Sequence, residues 1–207
     1  MGLVKDNTSE EKGYAKINLA LHVIGIQADG YHALDSIVVF TDIFDRLFFK
    51  RSLKNVVTST GEFSKSINVR ENSILQALKL FGNGLTDNFS INLEKNLPIG
   101  AGLGGGSADA AAVIRFITNK RKQLMPSSEA LSKIGADIPA CVLSVASRVG
   151  GIGEIVRPLD MSEINLWVVL VNPDIFVSTG SIFEEVTEKH NQPLESFIDL
   201  SSTDQFI

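Results

Sequence analysis

Alternating apolar and polar residues near the N-terminus predict a half-buried β-strand. Over residues 13–25 the apolar side chains fall on one face of an extended chain and the polar side chains on the other. The strand therefore presents a polar working face, and an Asp-Gly pair at 29–30 predicts a turn after it. The apolar face carries Ile17, Leu19, Leu21 and Val23, and the polar face carries Lys16, Asn18 and His22.

Further strands and one helix are predicted before the glycine-rich part of the chain. Apolar runs at 36–40 and 46–49 are typical of strands, and alternation over 88–95 indicates another. The apolar residues between positions 74 and 81 have helical spacing, and Asn72 or Ser73 is a suitable N-cap for that helix.

Beyond residue 106 the pattern changes to helices and then to irregular chain. An alanine-rich run predicts a helix from Ser107, as its cap, to about Lys120, and a short helix over 127–134 is capped by its first or second serine. The apolar run 167–171 predicts a buried strand, and the last 30 residues are polar and irregular. Strands first and loop-helix elements later indicate an α+β fold rather than a regular βαβ array.

Composition excludes several classes of protein. The 207 residues suffice for one large or two small domains, and a net charge of −5 offers no basic footprint for nucleic acid. No apolar run reaches the length of a membrane span, and the N-terminus lacks a signal-peptide pattern. The single cysteine, Cys141, excludes an internal disulfide framework and is expected in the core. We therefore expect a cytoplasmic globular protein that binds neither nucleic acid nor membranes.

The stretch at residues 98–112, a glycine-rich loop followed by an alanine-rich run, carries the clearest chemical signal. Five glycines stand within the seven residues 100–106, directly before the alanine-rich helix. Glycines leave backbone N–H groups uncovered, and a helix N-terminus adds unpaired N–H groups and the positive end of its dipole. A loop of this kind is built to hold phosphate.

Three nucleotide-binding motifs compete for this loop. A Walker A loop requires a lysine before its serine, but here Ser107 follows a glycine directly. The Rossmann fingerprint matches as a string at Gly100, Gly102 and Gly105. However, residues 95–98 interrupt the tight turn that it needs, and no acidic residue closes a strand about 20 residues later. The remaining pattern, P-x-G-x-G-L-G-G-G-S, resembles that of the GHMP kinases.

Five motifs in one order make that resemblance specific. The chain is similar to the branch of the GHMP kinases that acts on 4-diphosphocytidyl-2-C-methyl-D-erythritol, and the similarity runs from about Ala15 to Phe183. The Ala-Asp-Gly-Tyr-His motif separates this branch from mevalonate and homoserine kinases. The motifs lie at residues 15–19, 28–32, 96–107, 135–139 and 151–154.

The resemblance implies a reaction and a fold. The reaction is ATP- and Mg²⁺-dependent phosphorylation of the 2-hydroxyl of 4-diphosphocytidyl-2-C-methyl-D-erythritol, in the non-mevalonate isoprenoid pathway, by a monomer or weak homodimer. The fold is a two-domain GHMP kinase. Residues 1–157 would form the ATP-binding, ribosomal protein S5 domain 2-like N-terminal domain. Residues 158–207 would form an incomplete α/β C-terminal domain, since family members usually run longer and carry a third glycine-rich motif.

The resemblance also assigns residues to roles. Asp137 matches the catalytic aspartate that accepts the hydroxyl proton, and Lys16 matches the catalytic lysine that pairs with it and with the transferring phosphoryl group. Asp109 is expected to point away from the phosphates. The nucleotide site would comprise Pro98, Ile99, Gly100, Ala101, Gly102, Leu103, Gly104, Gly105, Gly106, Ser107, Ala108, Asn72 and Lys95, the last two near adenine.

The acceptor site is assigned in the same way. Tyr31 and His32 resemble the pair that recognises cytosine, by stacking and by hydrogen bonding. Asn18 shares the strand face of the lysine, and Thr179 resembles a threonine near the erythritol end. Two alternatives remain open: another GHMP small-molecule kinase, or a shortened, catalytically impaired nucleotide-binding protein.

Overall fold

Two long antiparallel strands organise the sheet. The computed structural model describes residues 8–28, 30–66, 73–82, 87–172, 175 and 177–194, so Asn72 lies outside the described residues. β1 (Ser9–Ile26) pairs with β2 (His32–Ser52) along most of its length. The predicted turn joins them, and Gly30 there has a φ of 88°. The two apolar runs predicted separately at 36–40 and 46–49 belong to the one strand β2.

The remaining strands extend the sheet from β2. β4 (Asn88–Glu94) pairs with the C-terminal part of β2, and β5 (Ser147–Gly151) pairs with its N-terminal part. β3 (Val56–Thr60) runs parallel to β4, and β6 (Ile155–Pro158) runs antiparallel to β5. The order is β3-β4-β2-β5-β6, with β1 added on β2.

Irregularities in β1 overturn the predicted assignment of its faces. The pairing with β2 shifts register between Tyr14 and Lys16, between Asn18 and Ala20, and between Val23 and Gly25. At the second and third of these shifts β1 carries one extra residue, and each extra residue reverses the alternation of faces along the strand.

The shift beyond Asn18 therefore places Leu21 and Val23 on the same cavity wall as Lys16 and Asn18. The prediction that these apolar residues oppose the polar face was wrong, because simple alternation does not include bulges.

Five α-helices and one 3₁₀ turn are described. α1 (Ser73–Leu80), α2 (Gly105–Arg121) and α4 (Ile138–Leu143) surround the core. The short elements are a 3₁₀ turn (Ser64–Ser66), α3 (Ser128–Ser132) and α5 (Thr179–Glu184). Of the two serines predicted as alternative caps of α3, Ser127 is the cap, since its side chain accepts a hydrogen bond from the amide of Ala130.

The glycine-loop helix begins two residues earlier than predicted. Its first residue is Gly105, and Gly104 occupies the cap position with a φ of 66°, where no side-chain cap is present. The prediction that Ser107 caps this helix was therefore wrong. The left-handed cap conformation suits glycine, so the loop residue itself starts the helix.

α2 is buried over most of its length. Phe116 stacks on Phe49 of β2 with ring centroids 3.9 Å apart, and it forms a T-shaped pair with Phe89 of β4 with centroids 5.1 Å apart. Cys141, from α4, is buried beside α2 as expected, and burial raises the pKa of its thiol. The helix that follows the glycine loop is thus fixed by close packing on several sides.

Residues 167–171 do not form the predicted buried strand. They are irregular in conformation, and Trp167 is fully exposed. A strand requires a paired neighbour, and none of the six described strands pairs with this segment. The last described strand ends at Pro158, and the domain boundary at residue 157 stays a prediction. Within the described ranges, no helix combines the length and apolar character needed to cross a membrane.

Candidate active site

One cavity of about 890 Å³ brings together most of the predicted site residues. The glycine loop, residues 98–107, forms one wall, and β1 and β2 form another. α5 contributes the third wall, which includes Thr179. Ala108, also predicted for the nucleotide site, does not line the cavity, because it lies in the first turn of α2 and is buried in a cluster with Cys141.

The glycine loop adopts the conformation that its composition predicts. Gly100, Gly102 and Gly104 have φ values of 71°, 73° and 66°, a region that L-residues rarely adopt. The amide of Lys16 donates to the carbonyl of Leu103 at 2.9 Å, which ties the loop to β1. The first amides of α2 have no acceptor within the helix and open towards the same cavity.

Lys16 and Asp137 form an ion pair inside this cavity. Lys16 Nζ lies 2.9 Å from Asp137 Oδ1 and donates to Asn18 Oδ1 at 2.7 Å. The lysine side chain is 5% exposed and the aspartate side chain 40% exposed. Asp137 occupies the N-cap position of α4 but makes no capping hydrogen bond, so its carboxylate is directed to the lysine.

Asn18 is oriented by a chain of hydrogen bonds across the two long strands. Its Nδ2 donates to Ser36 Oγ at 2.7 Å, and that hydroxyl donates to the carbonyl of Ala20 at 2.7 Å. The side-chain amide thus presents its oxygen to Lys16 and its nitrogen to Ser36. This chain of hydrogen bonds fixes the position of the Lys16 ammonium on the side of Asn18.

Two glycines bring the backbone close to the ion pair. A Cβ at Gly104 would lie 3.4 Å from Lys16 Cβ and Cε and 3.6 Å from Asp137 Oδ2. A Cβ at Gly153, where φ is 118°, would lie 2.1 Å from the carbonyl oxygen of Ala136. The motif at residues 151–154 therefore supports the backbone next to Asp137, a role that its sequence alone does not reveal.

Lys95 lies beneath the glycine loop in a buried ionic cluster. Its Nζ lies 2.5 Å from Asp45 Oδ2 and 2.8 Å from Asp109 Oδ2. Asp45 also accepts hydrogen bonds from the amides of Asn96 and Leu97, at 2.6 and 2.9 Å.

This cluster joins the start of the loop to β2 and to α2. Asp109 points into it, and Lys95 borders the cavity while its ammonium bonds both carboxylates. A direct contact of Lys95 with adenine stays a prediction. Asp45 was not singled out from the sequence, because an aspartate within an apolar strand has no pattern that indicates a buried partner.

Two of the predicted acceptor residues lie outside the cavity lining. Tyr31 is 63% exposed beside the hairpin turn, and His32 begins β2. The His32 ring stacks on Phe183 with centroids 5.2 Å apart, and Phe183 lines the cavity. His32 Nε2 is buried and has no hydrogen-bond partner among the described residues. Phe183 was missed because it belongs to a segment predicted to be irregular.

A metal requirement can be tested against the donor groups present. No group of three or more acidic, histidine or cysteine side chains that could hold a metal is found within the described ranges. Mg²⁺ in phosphoryl-transfer enzymes is held by one or two protein groups together with substrate phosphates. Asp137 and Ser107, a carboxylate and a hydroxyl that line one cavity, fit that mode of binding.

Comparisons with known proteins agree with this geometry. Residues 72–153 match the family described as GHMP kinases N terminal domain. A 4-diphosphocytidyl-2-C-methyl-D-erythritol kinase of Cereibacter sphaeroides is 38% identical over 193 residues, which cover 92% of this chain and 68% of that protein. One of Paracoccus denitrificans is 41% identical over 186 residues, covering 89% of this chain and 63% of that protein.

A solved structure shows the same similarity. The crystal structure of a 4-(cytidine 5'-diphospho)-2C-methyl-D-erythritol kinase aligns with a TM-score of 0.59 and 33% identity, over 73% of this chain and 55% of that chain. The chain thus spans about two thirds or less of the length of the relatives that it matches.

Proposed function

Because the chain belongs to the 4-diphosphocytidyl-2-C-methyl-D-erythritol kinase family of the GHMP kinases, we propose that it phosphorylates 4-diphosphocytidyl-2-C-methyl-D-erythritol on its 2-hydroxyl, with ATP as the donor. This reaction belongs to the non-mevalonate isoprenoid pathway. The observation that carries the proposal is the Lys16–Asp137 ion pair, 2.9 Å long, in the cavity that the glycine loop also lines. A phosphate-binding loop and a paired carboxylate facing one space are what transfer of a phosphoryl group to an alcohol requires.

The glycine loop supplies the donor half of the site. Its uncovered amides and the N-terminus of α2 bind the phosphates of ATP. The buried packing of α2 holds these amides in place, so little reorganisation is needed during transfer.

Asp137 and Lys16 supply the chemistry at the acceptor hydroxyl. Asp137 accepts the proton of the 2-hydroxyl while the acceptor oxygen bonds to the γ-phosphorus. The bond between that phosphorus and the β–γ bridging oxygen breaks at the same time, and ADP is released. Its side chain is 40% exposed, so the proton passes on to solvent. Lys16 keeps the carboxylate in place and stabilises negative charge on the transferring group. Mg²⁺, held by Asp137 or Ser107 and the phosphates, would neutralise phosphate charge.

Phe183 and His32 define the acceptor half of the site. Phe183 lines the cavity and, backed by the His32 ring, provides an aromatic surface for a pyrimidine. His32 Nε2, which has no partner among the described residues, would then supply a hydrogen bond to the base. Tyr31 would reach this base from the hairpin turn, and Thr179 would meet the erythritol end. The cytidyl specificity of the family relatives is compatible with such a surface.

The proposal is tested by ADP release with three acceptors: 4-diphosphocytidyl-2-C-methyl-D-erythritol, mevalonate and homoserine. We expect turnover with the first alone. Asp137→Ala should lower kcat by about 10²- to 10⁴-fold, the usual contribution of a positioned general base, with nucleotide affinity changed by no more than a few-fold. His32→Ala should raise KM for the cytidyl substrate and leave that for ATP unchanged.

The controls separate the competing functions. Asp42→Ala removes an exposed carboxylate of β2 and should leave the kinetics as they are. Turnover with mevalonate or homoserine instead would indicate another GHMP kinase. Binding of ATP analogues without turnover of any acceptor would indicate a catalytically impaired nucleotide-binding protein. Undiminished turnover in Asp137→Ala would refute the mechanism.

A further inference from the structure

Residues 178–194, which we term the wall segment, form one side of the cavity and are tied to the sheet at their far end. The first part of this segment is α5, whose residues Thr179, Ile182 and Phe183 line the cavity. Phe183 stacks on His32, the first residue of β2. The acceptor side of the site therefore depends on where the wall segment lies against the sheet.

Asp35 and Arg148 hold the far end of the wall segment. Arg148 Nε and Nη2 donate to the two carboxylate oxygens of Asp35 at 2.8 and 2.6 Å. The same two side chains bond the backbone of Leu194. Asp35 accepts from its amide and Arg148 donates to its carbonyl, both at 2.8 Å. One residue of the wall segment is thus held through both of its backbone polar groups.

Further hydrogen bonds attach the same stretch to β1. The backbone and side-chain amides of Asn191 both donate to the carbonyl of Val23 at 3.1 Å. His22 Nδ1 lies 2.8 Å from the carbonyl oxygen of Gln192, to which it donates. These contacts lie at exposed or half-buried positions. The Asp35–Arg148 pair is the charged, bidentate attachment, and such pairs are the stronger and more directional kind.

The location of Asp35 connects this attachment to the cavity. Asp35 is 6% exposed, and its neighbours Leu34 and Ser36 line the cavity on the opposite face of β2. The hydrogen bonds from Arg148 lower the pKa of the Asp35 carboxyl, and the amide of Leu194 adds to this effect. Burial acts in the opposite direction but is outweighed. Neither Asp35 nor Arg148 lines the cavity itself, so any effect on substrate passes through the wall segment.

We propose that Asp35 and Arg148 are positioning residues for the acceptor substrate. By holding Leu194, they keep the wall segment against the sheet and keep Phe183 stacked on His32 at the acceptor side of the cavity. The glycine loop lies on a different wall of the cavity, and no hydrogen bond or ion pair within the described residues joins it to this pair. The inference rests on the proposed function for the identity of the acceptor, but the attachment itself can be measured without turnover.

The kinetic test compares Asp35→Asn and Arg148→Lys with the unaltered chain. Misplacement of a positioning element by about 1 Å can lower catalytic efficiency by up to about 10²-fold, so we expect KM for the cytidyl substrate to rise at least about tenfold. KM for ATP should stay within about twofold. A merely structural role would weaken both substrates together or lower the amount of folded enzyme without this difference.

A matched control is available on the same strand. Arg46 of β2 forms a bidentate pair with Glu10, at 2.9 and 3.2 Å, and neither residue lines the cavity. Arg46→Lys therefore removes the same kind of interaction at the far end of β2. It should leave both KM values unchanged.

Amide hydrogen exchange provides the second measurement. Both positioning variants should exchange faster at residues 179–194 than the unaltered chain, while α2 keeps its protection. If the unaltered chain shows no turnover with the cytidyl substrate, the proposed function fails, and the exchange result still decides whether the attachment exists. Unchanged exchange in both variants, or faster exchange with an unchanged KM for the cytidyl substrate, would overturn the inference.

Discussion

Asp109 offers a quantitative test of the electrostatics beneath the glycine loop. It shares the ammonium of Lys95 with Asp45, and its Oδ1 is buried with no hydrogen-bond partner in the described part of the chain. Burial, reinforced by the neighbouring Asp45 carboxylate, outweighs the attraction of Lys95 and raises the pKa of Asp109 from 3.8 to about 7. Between pH 3.8 and about pH 7, the folded protein therefore keeps a proton on Asp109 that the unfolded chain has already released.

This difference in proton binding makes stability depend on pH. A group whose pKa is higher in the folded state contributes most below its unfolded pKa, and that contribution is lost as pH rises through the folded pKa. The change from 3.8 to about 7 corresponds to about 4 kcal/mol in full. Between pH 5 and pH 8, more than half of it should be lost.

Asp109→Asn should abolish this part of the pH dependence, because asparagine does not titrate and its side-chain oxygen can still accept from Lys95. The measurement is the free energy of unfolding in urea at pH 5 and pH 8, compared as a difference of differences, so that any pH-independent effect of the substitution cancels. Asp42→Asn, an exposed position on the same strand as Asp45, serves as the control. If Asp109→Asn changed the free energy of unfolding by the same amount at pH 5 as at pH 8, the reasoning would be refuted.

Two glycine substitutions test the backbone around the ion pair. Gly104→Ala places a methyl group 3.4 Å from Lys16 Cβ at a residue with positive φ. The substitution should reduce the free energy of unfolding in urea by about 1–2 kcal/mol. It should also lower kcat, measured by ADP release, by more than this loss of stability explains. Gly153→Ala would set a Cβ 2.1 Å from the carbonyl oxygen of Ala136, so the backbone beside Asp137 must move. We expect the free energy of unfolding to fall by at least about 2 kcal/mol and kcat to be reduced. Wild-type values for both would contradict the role given to this glycine.

The glycine loop could be predicted from sequence because its information is local. Glycines at alternate positions and an alanine-rich run indicate positive φ values and a following helix, and Gly100, Gly102 and Gly104 have those values. The start of the helix was placed at Ser107 because serine is a good cap. Gly104 takes that position instead, since its left-handed conformation already turns the chain into the helix.

Other elements depend on partners that are distant in sequence. The buried aspartates around Lys95 come from β2 and α2, and no spacing in the chain relates positions 45, 95 and 109. The run at 167–171 has the composition of a buried strand, but no described strand pairs with it, and composition alone cannot supply that partner. Phe183 takes its role from His32, about 150 residues earlier in the chain, through a stacking contact.

The irregular pairing of β1 explains how one strand can serve both halves of the cavity. Before the shift, Lys16 and Asn18 face the glycine loop and Asp137, where charge must be stabilised. After it, Leu21 and Val23 face the same cavity beside the apolar side chains of α5. Strict alternation would have sent these two residues to the opposite face of the strand. The bulge thus joins the polar wall, at which we propose phosphoryl transfer, to the apolar wall, at which we propose that the base of the acceptor binds. A mutation that removes the extra residue should disrupt the apolar wall and leave the polar wall in place.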